Sequence, residues 1–165
     1  MQIFDTLSGA LTTDVLIIAA VFGALFFFAA KRGKSRSIAL MLSIYVAILS
    51  FLSFPFLDEL TLLKSSEVQV TLSHIAVFAL GTFLAYLIIK RSVYAEYPGG
   101  AAQKFLQAGI LAAGSTALLF AFAYHTLPVA TLYDFNQSID NLFSSAYFFY
   151  WLVAPLGGLY LVTRH

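Results

Sequence analysis

Apolar residues along this chain gather into five long runs separated by short polar segments. The runs cover about residues 12–30, 38–57, 70–89, 105–127 and 142–162. A helix needs about 20 mostly apolar residues to cross a hydrocarbon layer about 30 Å thick. In lipid every backbone donor and acceptor must be satisfied within its own segment, so each run predicts an α-helix. The pattern predicts one all-α integral membrane domain over residues 1–165, a bundle of five transmembrane helices. Residues 1–13 place Ile3, Phe4, Leu7 and Leu11 at helical spacing, which allows a short interfacial helix before the first span without requiring one. Pro98-Gly99-Gly100 marks a turn between the third and fourth runs, and Pro128 marks the end of the fourth.

Composition supports this picture. Hydrophobic residues make up 61% of the chain and charged residues 10%, and the mean hydropathy is +0.89. Soluble domains carry about 25% charged residues, so 17 charges in 165 residues cannot clothe a water-exposed surface. The same numbers exclude intrinsic disorder. A net charge of +1 argues against a nucleic-acid partner. Cysteine is absent, which removes disulfides, thiolate nucleophiles and Cys-bound metals.

The charges set an orientation. With the Lys31–Arg36 segment placed in the cytoplasm and five crossings, eight of the nine basic residues fall inside, and only Lys64 falls outside. Seven of the eight acids fall outside, and only Glu96 falls inside. Basic residues in short loops set membrane orientation, so the N-terminus is expected outside and the C-terminus in the cytoplasm. Met1 to Asp14 holds two acids and no Lys or Arg, the reverse of the leading end of a cleaved signal peptide.

Candidate chemistry is sparse. No charged residue lies well inside a predicted span, which disfavours a proton-coupled transporter or a voltage sensor. His74, His125, Asp14 and Asp134 all fall near the outer interface and form a speculative polar cluster, able in principle to bind a metal or sense pH. Helix-end histidines are more often simply solvated or hydrogen-bonded, and no HExxH motif is present. Small residues at spacing four, Ala19 and Gly23 on the first helix and Gly109, Ala113 and Ala117 on the fourth, predict a helix-packing seam, within the chain or between copies. Pro55 and Pro155 are expected to kink the second and fifth helices. The in-span polar residues Ser43, Tyr45, Ser50 and Ser53 on the second helix, Thr82 and Tyr86 on the third, and Gln107, Ser115, Thr116 and Tyr124 on the fourth could bond neighbouring helices or line a polar path. There is no GxSxG, no P-loop and no paired in-span carboxylate, so no catalytic residue, cofactor or metal ligand is assigned.

Several of these segments together resemble the colicin V production protein family, small bacterial inner-membrane proteins of similar length. The likeness lies in Asp14-Val15-Leu16-Ile17-Ile18 opening the first helix and in the basic turn Lys31-Arg32-Gly33-Lys34-Ser35-Arg36 that leads into Leu40, Leu42, Ser43 and Tyr45. It continues in Lys90-Arg91 after the third helix, Gly109 to Gly114 in the fourth, and Ser144-Ser145 before the last apolar run. The resemblance implies a multi-pass protein of the bacterial inner (plasma) membrane. Its role would be non-enzymatic, in the envelope or in toxin export, through contacts with the bilayer, other membrane proteins or itself. The alternatives from the residues alone are a small channel or transporter subunit, and a membrane enzyme or a metal or pH site at the outer face.

Overall fold

A computed structural model describes residues 2–54, 66–94, 100–126, 133 and 135–164; the side chains of residues 2–12, 67 and 138 lie outside that description, as do Pro55 and Asp134. The described elements are helices: α1 (Gln2–Arg32), α2 (Lys34–Leu52), α3 (Glu67–Ile89), α4 (Ala101–Thr126), the short α5 (Gln137–Leu142) and α6 (Phe148–Thr163). Four of them, α1 from Thr13 onward and α2 to α4, are long and apolar enough to cross a membrane.

Three boundaries differ from those expected. Helix α1 runs unbroken from Gln2, with no separate interfacial helix. Residues 2–13 contain no proline, and a helix already nucleated extends easily through such a segment. Helix α2 ends at Leu52 rather than near residue 57, and the Ser53 amide closes it on the Leu49 carbonyl at 3.1 Å. A proline disfavours helical backbone at the residue before it, so Pro55 sets this limit from the sequence. The last apolar run is divided. A turn at 143–147 separates α5 from α6, closed by the Tyr147 amide on the Ser144 carbonyl at 3.0 Å and by the Trp151 indole N–H on the Leu142 carbonyl at 2.7 Å. Ser144 and Ser145 favour such turns because serine hydroxyls compete for backbone groups. Helix α6 keeps 16 residues, a rise of about 24 Å.

Side-chain register gives the direction of each helix. Phe26 of α1 meets Phe105 and Gly109 of α4, while Ile17 and Val21 pack beside Phe120 and Ala121, so α1 and α4 are antiparallel. Gly81 of α3 faces Ala47 of α2, and His74 faces Phe51, so that pair is antiparallel too. Gly114 of α4 meets Pro155 of α6, and Gly158 meets Ile110, again antiparallel. Met41 meets Gly114 and Phe51 meets Phe122, so α2 and α4 run together. Helices α1, α3 and α6 therefore point one way, and α2 and α4 the other.

Helices α2 and α4 form the centre. Half of the α2 span and 61% of the α4 span is buried, against 6% for α3, which leaves most of α3 as apolar outer surface. Met41, Ile44, Ile48, Leu111 and Leu118 fill the interior. Towards one end Phe51, Phe78 and Phe122 close it as an aromatic triad, with centroid distances of 4.1 to 6.4 Å. Lipid offers as apolar a surface as another helix, so association rests on this close packing and on interhelical hydrogen bonds. Gly33, between α1 and α2, has φ 88°, a backbone region that glycine adopts without the steric cost of a Cβ.

The tightest approach is at Gly114, where an added Cβ would lie 3.1 Å from the Met41 methyl and 3.2 Å from the Pro155 ring. Gly114→Val should force α6 away from α4 and lower stability by about 1–3 kcal/mol. Thermal unfolding in detergent would check this, and an unchanged midpoint would contradict the packing.

Candidate functional site

The most developed polar arrangement sits at the N-terminal end of the α1 span. Asp14 is 1% exposed. One carboxylate oxygen accepts the Tyr133 hydroxyl at 2.8 Å, and the other accepts the Asn136 backbone N–H at 2.9 Å. The Asn136 carbonyl in turn accepts the amides of Ile139, at 2.8 Å, and Asp140, at 3.2 Å, in the first turn of α5. A carboxylate at the edge of hydrocarbon must be supplied with donors, because burial without them is costly. Asp14 thus holds the segment leading into α5. Beneath it Ile139 and Phe143 pack on Phe120 and Ala121.

The contact changes the phenol. The hydrogen bond to the Asp14 carboxylate is the main cause that raises the Tyr133 pKa above its ordinary 10.0, with burial and the carboxylate charge adding in the same direction. The protonated form is the one that can donate. The stabilisation is therefore complete below pH about 10 and is lost as pH rises through the raised value.

The other members of the expected polar cluster serve separate contacts. The His74 ring stands edge-on to Phe51 at 5.6 Å, and both of its nitrogens are buried with no hydrogen-bond partner among the described residues. His125 is exposed and stacks on Phe148 at 4.0 Å, with its ring 13° from parallel. No hydrogen bond or ion pair links Asp14, His74 and His125, and no group of three or more metal-ligating side chains occurs among the described residues. Asp134 lies outside the described residues. Here the aromatic character of the imidazoles is used in packing.

The small residues divide. Ala19, Gly23 and Ala113 are exposed, and a Cβ at Gly23 would meet no heavy atom within 4 Å. Gly109 touches Phe26, and Ala117 is partly buried. The deeply buried small residues of α4 are Ala108, Ala112, Ser115 and Ala121. The expected seam at Ala19, Gly23 and Ala113 is thus not an intrachain one. The α4 stripe turned inward, 108–111–112–115, is offset by one position from the stripe 109–113–117. A spacing-four pattern marks a helical stripe without saying which way the stripe faces.

The in-span hydroxyls mostly turn back on their own helices. Ser43 donates to the Ala39 carbonyl at 2.5 Å, Thr82 to Phe78 at 2.9 Å, and Thr116 to Ala112 at 2.8 Å. Tyr45 crosses instead, donating to the Leu152 carbonyl of α6 at 2.5 Å. Buried Pro155 lacks the amide that the Trp151 carbonyl would accept, and Tyr45 brings a polar group to this interrupted stretch of α6. Pro55, the second expected kink, lies outside the described residues.

Tyr133 and Asn136 were not picked out as site residues from the sequence. The available signal was an isolated acid at a span boundary in a chain with few charges, which needs donors from somewhere. No protein-family model, curated protein or solved structure matches the chain.

Two outcomes are expected. Asp14→Leu takes the carboxylate acceptor away from the half-buried Asn136 amide and should lower stability by about 1–3 kcal/mol, measured by thermal unfolding in detergent. In alkaline titration followed by phenolate absorbance, the Tyr133 component, identified by difference from Tyr133→Phe, should titrate above pH 10 and move down in Asp14→Asn. A component that stays in place would contradict the carboxylate contact.

Proposed function

We propose that this chain is a non-enzymatic multi-pass membrane component that crosses the bilayer five times and acts through contacts within it. The observation that carries the reading is where the in-span polar groups go. Ser43, Thr82 and Thr116 bond their own helix carbonyls and Tyr45 bonds α6, while Met41, Ile44, Ile48, Leu111 and Leu118 occupy the interior between them. A hydrophilic path needs hydroxyls or amides free to face water; these four hydroxyls are engaged, and the Gln107 amide oxygen, which has no hydrogen-bond partner among the described residues, is buried away from any such path. Much of the apolar surface of α1 and α3 is meanwhile turned outward, towards lipid or a neighbouring protein.

A fifth crossing is supported by the antiparallel lie of α6 against α4, which carries Arg164 back towards the end where α4 begins. Helix α6 holds no charged residue, and its shortfall against a layer of about 30 Å is of the kind that local thinning or flanking side chains absorb. An N-terminus outside and a C-terminus in the cytoplasm follow from the segregation of basic and acidic residues; a bacterial cell is what the family resemblance implies. The resemblance to colicin V production proteins suggests the envelope or secretion setting and has no match behind it.

Because the chain has no cysteine of its own, single cysteines placed at Lys31 and at Arg164 can be labelled from either side of intact spheroplasts and inverted vesicles. Both should label from the cytoplasmic side; Arg164 labelling from the opposite side to Lys31 would leave α6 uncrossed. Purified protein in liposomes should give no ion or solute flux above protein-free vesicles, and flux that Tyr45→Phe or Ser43→Ala alters would favour a channel instead.

A further inference from the structure

Helices α1 and α3 both pack on α2 or α4 but do not pack along each other, so a cleft remains between them. Two cavities occupy it. The first is an apolar groove of about 480 Å³, walled by Leu25 of α1, Ile75 and Phe83 of α3, and floored by Ile44 of α2 and Leu119 of α4. Its one aliphatic hydroxyl, on Thr82, is already donated to the Phe78 carbonyl. The second is a basin of about 490 Å³ at the end of the helices where α1 meets α2, lined by Arg32, Arg36, Lys90 and Arg91. Phe28 and Tyr86 belong to both cavities and meet edge-to-face at 6.3 Å, and the Lys90 ammonium lies 5.6 Å from the Tyr86 ring centre.

Groove and basin thus adjoin at the Phe28–Tyr86 contact, the one apolar along the helices and the other cationic at the helix ends. We infer that the cleft between α1 and α3 binds one anionic phospholipid, with an acyl chain in the groove and the phosphate among the four cations. The dimensions fit this occupant. From Ile75 to Tyr86 α3 rises about 16 Å, close to the half-thickness of a hydrocarbon layer of about 30 Å. The cations come from three helix ends, so no single flexible loop supplies them. They make no ion pair among the described residues, and no described carboxylate lines the basin. Arginine forks match phosphate oxygens in a two-pronged geometry, and basic pockets between membrane helices favour anionic headgroups. The Ser35 hydroxyl donates to the Val93 carbonyl and fixes the chain after α3 beside the start of α2, which holds the basin together. The inference needs only that the bundle lies in a bilayer and is independent of the contact-based role.

Native mass spectrometry of the detergent-solubilised protein tests it with dioleoyl phosphatidylglycerol, dioleoyl phosphatidylcholine and glycerol 3-phosphate as probes. The wild type should retain one phosphatidylglycerol in preference to phosphatidylcholine. Arg32→Gln/Arg36→Gln should weaken that binding by about fivefold for each charge removed, about 25-fold together. Lys31→Gln, on the same segment but with its ammonium over Phe27 outside the basin, should leave it unchanged. Ala79→Trp, which fills the groove, should weaken lipid binding while the circular dichroism spectrum stays helical. Equal retention of the two lipids, an equal loss in Lys31→Gln, or lipid binding that survives Ala79→Trp would overturn the proposal. So would glycerol 3-phosphate displacing the lipid, which would point to a soluble phosphate ligand, or a dimer in place of the lipid adduct, which would point to a second copy in the cleft.

Discussion

The structure turns on the scarcity of hydrogen-bond partners between its apolar helices. A polar group in that setting is costly unless it finds a partner within the protein, because lipid offers none. The backbone meets this demand by forming helices. Ser43, Thr82 and Thr116 meet it by donating to the carbonyl one turn back. Tyr45 meets it by reaching α6 beside Pro155, where the helix has lost an amide. Asp14, at the margin, meets it by drawing in the Tyr133 hydroxyl and the Asn136 amide, and so ties a loop and a short helix to the bundle. Polar side chains here act as local closures.

With these groups engaged, and with the His74 ring nitrogens and the Gln107 amide oxygen buried without a hydrogen-bond partner among the described residues, helix association depends on shape. The close points are where a small or flat residue lets backbones approach: Gly114 against Pro155, Gly158 against Ile110, Gly81 against Ala47. Between them large side chains interlock, with Phe51, Phe78 and Phe122 at one end of the core. The result is uneven. Helices α2 and α4 are enclosed, α1 and α3 are held along one side only, and the space between α1 and α3 stays open. A protein that packed α1 on α3 would have no such cleft, and the four cations at its mouth would crowd one another with nothing between them.

Charge is distributed along the helix axis accordingly. The carboxylate of Asp14 and the cations Arg32, Arg36, Lys90 and Arg91 sit at opposite ends of the same bundle. Along α1 alone, Asp14 and Arg32 are separated by about 27 Å of helix. That separation approaches the thickness of the hydrocarbon layer, so both groups reach a wet boundary without a charge entering the interior.

Much of the architecture was legible from single-chain patterns, for local reasons. An apolar run of about 20 residues in lipid has only one way to satisfy its backbone, so α1 to α4 follow from run length, and Gly33 marks a limit through its own backbone preference; the early end of α2 at Leu52 does not, since Pro55 is expected to kink a helix reaching residue 57. Lone charges in an apolar chain announce their depth, which is why Asp14 was found at a span boundary. What depended on the partner across the interface was not legible. Spacing four identified small-residue stripes but not which of them turns inward, since helix rotation is set by neighbouring side chains; Ala108 and Ala112 face the core while Ala19 and Gly23 face out. The division of the last run at 143–147 depends on Trp151 reaching the Leu142 carbonyl. The partners of Asp14 come from more than a hundred residues away, and the meeting of Arg32, Arg36, Lys90 and Arg91 requires three helix ends to converge. Hydrophobic periodicity reports what one segment needs from its surroundings; only the assembled bundle decides which residues supply it.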